Sequence, residues 1–331
     1  MSLNTNRRSV ETRHEHRNAN SCNLLDAAKF DSRSTIAMKP ASFEYFAPLE
    51  MQETLDLLDR YGDEAKILAG GQSLMPLINL RLARPGVIID INRLRNLDAI
   101  SIAPDGGLTI GALMRQRTLE RSKIVHEQNP ILAAAMPLIG HFQIRNRGTI
   151  GGSLVHADPA AELPAISLLL GGEFLLRSKS AARLVAATDF FLGYLATACQ
   201  PGELLTEIRV PKWRSGEAWA VDEIARRKGD FALVGVALRA EPDGAGILQN
   251  AGIVMFGVGG KPQRMERGEA LLKGRRIDQA LLSELSRVVA KELEADSDVH
   301  ASAAYRKEVG GVLVRRALQS ALAKAKETLS Q

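Results

Sequence analysis

The chain has 331 residues, enough for two hydrophobic cores rather than one, and its 45% hydrophobic and 24% charged residues are ordinary for a globular protein. A formal charge of +5 does not imply a nucleic-acid partner, because bases alternate with acids, as at Glu207–Arg209 and Glu266–Arg267, and aromatics are only 5%. Cys22 and Cys199 are the only cysteines, which excludes both a disulfide framework and an iron–sulfur cluster ligated by this chain alone.

No apolar run reaches membrane-spanning length, and the N-terminus lacks the apolar core of a signal peptide, so a reducing, cytoplasmic location is expected. Residues 1–37 are rich in Asn, Ser, Arg and His without helical or strand periodicity, which reads as a disordered leader or a misassigned start. From Met38 onward, elements alternate. Thr54–Tyr61 has helical spacing, Lys66–Ala69 is a short strand broken by Gly70-Gly71, and Leu74–Leu80 is a short helix. Val87–Ile91 is an apolar strand. Ile100–Ala103 and Leu108–Ile110 flank a Pro-Asp-Gly-Gly turn and form a hairpin. Helices are expected at Asn129–Ile139 and Ala160–Leu170, and strands at Glu173–Arg177 and Glu203–Val210. Lys212–Glu217 marks a boundary between residues 38–213 and 217–326. Beyond it lie three strands (Trp219–Ala225, Ala232–Ala240, Ile253–Val258) and closing helices at Asp278–Glu294 and His300–Lys326, which suggests a sheet covered on one face. There is no internal repeat.

Two glycine segments carry the chemistry. In Ile67-Leu68-Ala69-Gly70-Gly71-Gln72-Ser73-Leu74 a strand runs into paired glycines and then a helix start. Such a turn lets the backbone approach a ligand without an intervening Cβ, and successive N–H groups form an anion nest that suits a pyrophosphate. Thr149-Ile150-Gly151-Gly152-Ser153 repeats the logic in a second loop, with Arg145 or Arg147 as a basic neighbour. Taken singly, each pair is equally readable as a tight turn. Neither is a G-x-G-x-x-G fingerprint or a P-loop, which argues against a Rossmann site and an NTPase. Val at Gly71 or Gly152 is expected to abolish ligand retention while leaving folding largely intact, by placing a Cβ where backbone meets phosphate.

His156, Asp158 and Glu162 follow closely enough to raise a metal site. Asp158 before Pro159 is also a good helix N-cap, and Glu162 could accept a ribose or ribityl hydroxyl, so neither residue needs a metal.

Longer stretches around these segments resemble a known family. AGGQSLMPLINLRLARPGVIIDINRL (Ala69–Leu94) and QIRNRGTIGGSLVHADPAAELPA (Gln143–Ala165) are similar to the FAD-binding medium subunit of molybdenum hydroxylases of the carbon monoxide dehydrogenase and xanthine dehydrogenase type. So are PGELLTEIRVP (Pro201–Pro211), ARRKGDFALVGVAL (Ala225–Leu238) and AYRKEVGGVLVRRAL (Ala304–Leu318), and the likeness covers about Met38–Lys326. The resemblance implies an α+β fold: a two-subdomain FAD-binding domain of the vanillyl-alcohol oxidase (PCMH) type, then a smaller C-terminal α/β domain with a three-stranded sheet and helices. It implies FAD held by Ile67–Leu74 and Thr149–Ser153, with Glu162 contacting the cofactor and Leu205 packing by the flavin. Ser153 stands where many relatives have Asn, and Gln72 where the carbon monoxide enzymes often have His; both keep hydrogen-bonding ability.

The resemblance further implies no acid–base catalyst and no metal on this chain. Molybdopterin would sit on a large partner subunit and [2Fe-2S] clusters on a small one, the whole assembling as a dimer of heterotrimers. Electrons would reach FAD from the clusters and leave to an external acceptor such as NAD, a quinone or oxygen. The cysteine content fits that division of labour. The rival readings are a self-sufficient flavin oxidase or reductase of the same domain type, and a nucleotide-binding scaffold without redox activity.

Overall fold

The computed structural model describes residues 39–329, so the expectation of a leader over residues 1–37 lies outside the described residues. The chain begins with a small parallel unit: β1 (Glu44–Phe46), α1 (Met51–Tyr61), β2 (Ala65–Leu68), α2 (Leu74–Asn79) and β3 (Val87–Asp90). The strand order is β1-β3-β2, with β3 in the centre. Val87, Ile88 and Ile89 are all buried, the pattern of a parallel strand covered on both faces. Leu55 and Leu58 of α1 close one side of that core.

The second unit contains β4 (Ile100–Ile102), β5 (Leu108–Gly111), α3 (Gln116–Arg121), α4 (Lys123–Gln128), α5 (Pro130–Ala135), α6 (Phe142–Arg147), α7 (Ile150–His156) and α8 (Glu162–Leu170). It continues with β6 (Glu173–Arg177), β7 (Ala182–Ala186), α9 (Ala187–Phe190), β8 (Phe191–Gly193), β9 (Ala196–Thr197) and β10 (Leu204–Val210). A five-stranded antiparallel sheet runs β4-β5-β10-β6-β7. The hairpin expected at Ile100–Ile110 is present, and Asp105 Oδ1 accepts the Gly107 amide at 2.8 Å to fix its turn. The helix expected over Asn129–Ile139 is α5 followed by a tighter turn at Met136–Leu138, where Pro137 has no N–H to continue an α-helix. α8 starts at Glu162 rather than Ala160. Asp158 does not cap it; its Oδ1 instead accepts the Ala160 amide at 2.9 Å in an Asx turn. Every residue of α8 is buried, so this helix is the central packing element.

The third unit comprises β11 (Ala218–Ala225), β12 (Ala232–Pro242), β13 (Leu248–Phe256), β14 (Gln263–Arg264), α10 (Glu266–Leu272), α11 (Gln279–Glu292) and α12 (Ala303–Leu329). Two corrections to the sequence reading arise here. The sheet has four strands, β11-β12-β13-β14, because β14 is too short to leave a periodic signal. The sheet is also covered on both faces. Val234, Val236, Leu238, Ile253 and Met255 pack with α11 and α12, whereas Ala237, Val254 and Phe256 join the core of the second unit beneath α8. The alternation of faces follows from the two-residue period of a strand, and the nearly continuous apolar runs are its signature. No helix among the described residues is long and apolar enough to cross a membrane.

At the entrance to β11, the Glu217 side chain is 1% exposed, and neither carboxylate oxygen has a hydrogen-bond partner among the described residues. Burial pushes its pKa up to about 7; Arg239, 3.9 Å away, opposes the rise and the Glu241 carboxylate adds to it. Because the folded value lies above the unfolded one, the associated stability is complete below the ordinary carboxylate range and is lost as pH rises through about 7. Glu217→Gln is therefore expected to raise the melting temperature at pH values above that midpoint and to change it little near pH ~5, checked by paired thermal melts.

Candidate functional site

A cavity of about 690 Å³ opens where the two glycine segments meet. β2 delivers the first segment. After Leu68 the chain turns through Ala69–Ser73 into α2, and Gly71 takes φ +72°, a left-handed conformation that favours glycine. Gly70 is required by close approach: a Cβ there would sit 2.5 Å from the Arg147 carbonyl oxygen and 2.8 Å from Gly148 Cα. The two segments thus cross backbone against backbone. Among the described residues none accepts a hydrogen bond from the amides of Gly70, Gly71, Gln72, Ser73 or Leu74. This is a row of consecutive donors at the start of a helix, in a segment that lines the cavity.

The second segment is not a loop. Thr149 is the N-cap of α7, and its Oγ1 accepts the Gly152 amide at 3.0 Å. The neighbouring amides are also engaged: Ile150 donates to the Met114 carbonyl, Gly151 to Ala112 and Ser153 to Thr149. A Cβ on Gly151 would lie 2.6 Å from Ala112 Cβ, so this glycine serves packing. The two segments are therefore different in kind: the first presents open amides, and the second presents a short helix with its first-turn amides already bonded. The expected effect of a side chain at Gly71 or Gly152 also changes its cause. At Gly71 a Cβ would meet Leu68 Cδ1 and Met75 Cγ at 3.1 and 3.2 Å, and at Gly152 it would meet the capping Thr149 Oγ1 at 2.7 Å.

Of the residues singled out in the sequence, Ile67, Ala69, Gly70, Gly71, Gln72, Ser73, Leu74, Thr149, Gly151, Gly152, Ser153, Glu162 and Leu205 line the cavity. Leu68 and Ile150 do not. Leu68 turns its carbonyl to the Ile91 amide, and Ile150 is 1% exposed in the core. Leu205 reaches the wall from β10, just before a register shift between Leu205 and Glu207; Leu204 and Leu205 enter different cores because successive strand residues face opposite sides.

Glu162, at the first turn of α8, is 7% exposed, and burial, followed by the nearby Glu223 carboxylate, raises its pKa to about 8. Arg145 is not a free basic neighbour. It is buried, pairs with Glu120 at 2.8 Å and donates to the Ile139 and Gly140 carbonyls, so it holds α6 against α3; Arg147 is exposed. His156 lies in the wall with its pKa lowered by burial, against the pull of Asp158. Among the described residues, no group of His, Cys, Asp and Glu side chains is arranged to hold a metal ion.

Sequence reasoning missed several parts of the wall, among them two stretches far from the glycine segments. Cys199–Leu204, between β9 and β10, forms one side. Burial raises the Cys199 thiol to about 11, so it stays protonated near neutral pH and offers no nucleophile. Gly229, Asp230 and Phe231 come from the turn between β11 and β12, and Phe231 is 66% exposed. Pro201–Leu204 and Gly229–Phe231 fall within the longer motifs quoted above, and their glycines, Gly202 and Gly229, both at positive φ in the fold, were the available signal.

Comparison with known proteins agrees with this geometry. Residues 41–213 match the FAD binding domain in molybdopterin dehydrogenase, and residues 219–321 match the CO dehydrogenase flavoprotein C-terminal domain. The chain is 39% identical to the 6-hydroxypseudooxynicotine dehydrogenase complex subunit alpha of Paenarthrobacter nicotinovorans, over 88% of this chain and 98% of that one. It is 35% identical to the caffeine dehydrogenase subunit beta of a Pseudomonas species, over 86% and 96% respectively. Among solved structures, a carbon monoxide dehydrogenase chain from Hydrogenophaga pseudoflava superposes with a TM-score of 0.83 at 36% identity, covering 86% of this chain and 98% of that chain. With the fold, the paired glycine segments and both domain matches in agreement, the chain belongs to the FAD-binding medium subunits of multi-subunit molybdenum hydroxylases.

Proposed function

We propose that this chain holds FAD with the diphosphate on the Gly70–Leu74 amides and serves as the electron-relay subunit of a molybdenum hydroxylase. The carrying observation is the row of amides without acceptors among the described residues, at a helix start in a segment that lines the cavity, since such a row of consecutive donors suits an anion. In this reading Thr149, Gly151, Gly152 and Ser153 close the opposite side of the diphosphate, and Ile67 and Ala69 complete the wall. Glu162 faces a ribityl or ribose hydroxyl, and its raised pKa leaves it protonated and able to donate as well as accept. Leu205 gives the flavin an apolar neighbour. The division between residues 38–213 and 217–326 separates this cradle from the region that contributes Gly229–Phe231 to its rim.

FAD supplies the redox chemistry, and the chain binds it, orients it and sets its surroundings. The chain would receive electrons from [2Fe-2S] clusters on a small partner subunit and pass them to an external acceptor, with molybdopterin on a large subunit and the whole acting in the cytoplasm as a dimer of heterotrimers. Support comes from the family membership and from the scarcity of cysteine in this chain.

The purified chain is expected to show a flavin absorption spectrum with one FAD per chain. Co-expression with its partners is expected to yield a complex containing a molybdenum subunit and an iron–sulfur subunit; rapid substrate turnover by this chain alone would contradict the relay role. Gly70→Ala is expected to cost about 1–3 kcal/mol of stability in urea titrations, because its Cβ would collide with the Arg147 backbone, and to lower FAD occupancy with it. Gly71→Val is expected to remove FAD as well, through strain at φ +72° and contact with Leu68 and Met75.

A further inference from the structure

Behind the glycine segments, among residues that do not line the cavity, runs a chain of polar contacts. Arg115 lies between β5 and α3, and its backbone forms an isolated antiparallel bridge with Thr149. Its guanidinium works in two directions. Nη1 donates to the Arg147 carbonyl, the oxygen that packs against Gly70, while Nη2 donates to Asn92 Oδ1 at 2.7 Å. Asn92 in turn donates from Nδ2 to the Ala69 carbonyl at 2.7 Å. Asp90 holds Asn92 in place by accepting its backbone amide at 2.9 Å and its Nδ2 at 2.6 Å, and Tyr45 donates its hydroxyl to the other Asp90 oxygen at 2.7 Å. Burial would raise the Asp90 pKa, but the bonds from Asn92 and Tyr45 outweigh it and hold the carboxyl below its usual range.

We propose that Arg115 and Asn92 are positioning residues: a guanidinium–amide clamp that fixes the Gly70–Leu74 amides against the Thr149 segment and so shapes the diphosphate cradle. In a trans peptide the C=O and N–H point in opposite directions, so the bond that fixes the Ala69 carbonyl also fixes the Gly70 N–H, the first donor of the open row. The second arm, on the Arg147 carbonyl, anchors the backbone that crosses Gly70. The cation also offsets the partial negative charge of two carbonyls that stand beside a site for an anion. A planar guanidinium can serve both acceptors at once in a fixed geometry, whereas an ammonium is a point donor without that fork. Neither Arg115 nor Asn92 lines the cavity, so they act through the backbone rather than by touching the ligand.

This inference rests on the FAD reading above, and its test separates the two. The full chain, stripped of flavin, is titrated with FAD and with riboflavin, which lacks the diphosphate, for the wild type, Arg115→Ala, Arg115→Lys and Asn92→Ala. Thermal melts and the phosphorus NMR signals of bound FAD are recorded alongside. In the wild type FAD should bind far more tightly than riboflavin; equal affinities would sink the diphosphate reading and the clamp together. Arg115→Ala and Asn92→Ala are each expected to weaken FAD by roughly ten- to a hundredfold, the scale of losing hydrogen bonds to a charged group, with riboflavin nearly unchanged. Arg115→Lys should recover part of that loss, and the phosphorus signals should shift in each variant that still retains FAD. The clamp is overturned if wild-type discrimination is strong but the variants keep it. It is equally overturned if they lose FAD and riboflavin affinity by the same factor in step with the melting temperature, which would mark the residues as generally structural.

Discussion

Five consecutive backbone N–H groups, from Gly70 to Leu74, find no acceptor in the described chain, and much of the surrounding architecture can be understood as the means of keeping them so. A backbone left alone satisfies its donors with turns, helices or strands. Here β2 ends too early to pair them, α2 begins at the last of them, and Gly71 turns the chain at a φ that other residues rarely adopt. The segment is pinned from behind by Asn92 and from the side by the Arg147 backbone. An anion is the natural complement of such an array, because consecutive unpaired donors beside a cavity create a region of partial positive charge.

The second glycine segment contributes differently. Its amides are consumed by Thr149 and by the carbonyls of Ala112 and Met114 just beyond β5, so its glycines make room for close packing while its hydroxyl residues line the cavity. The site thus has one electrostatic wall and one steric wall. Glu162, set in the fully buried α8, and Leu205, set beside a bulge in β10, complete it from buried positions. The third unit is not a detached appendage: Ala237, Val254 and Phe256 share the core under α8, and the turn before β12 reaches the cavity rim.

How much of this was legible in the sequence depended on length and locality. Val87–Ile91, the hairpin at Ile100–Ile110 and the helices near Asp278–Glu294 and His300–Lys326 could be read because apolar spacing or turn residues repeat often enough to show a period. α3, α4 and α6 have six residues each, less than two full turns, and left no such pattern. The Thr149 segment was misread as a loop because paired glycines lower helix propensity, yet tertiary packing against Ala112 and the Thr149 cap override that preference. The clamp was invisible for another reason. Asn92, Arg115 and Arg147 are far apart along the chain, and only the folded topology brings a side-chain amide, a guanidinium and a carbonyl into line.

The central claim is that the open amides of the first segment, rather than the helix start of the second, receive the diphosphate of FAD. Backbone hydrogen exchange of the full chain with and without FAD tests it most directly. Amides 70–74 should exchange quickly without flavin and become strongly protected when it binds, while amides 150–153, already bonded, should change far less. Unaltered exchange at 70–74 on saturation with FAD, or protection concentrated at 150–153, would contradict the account.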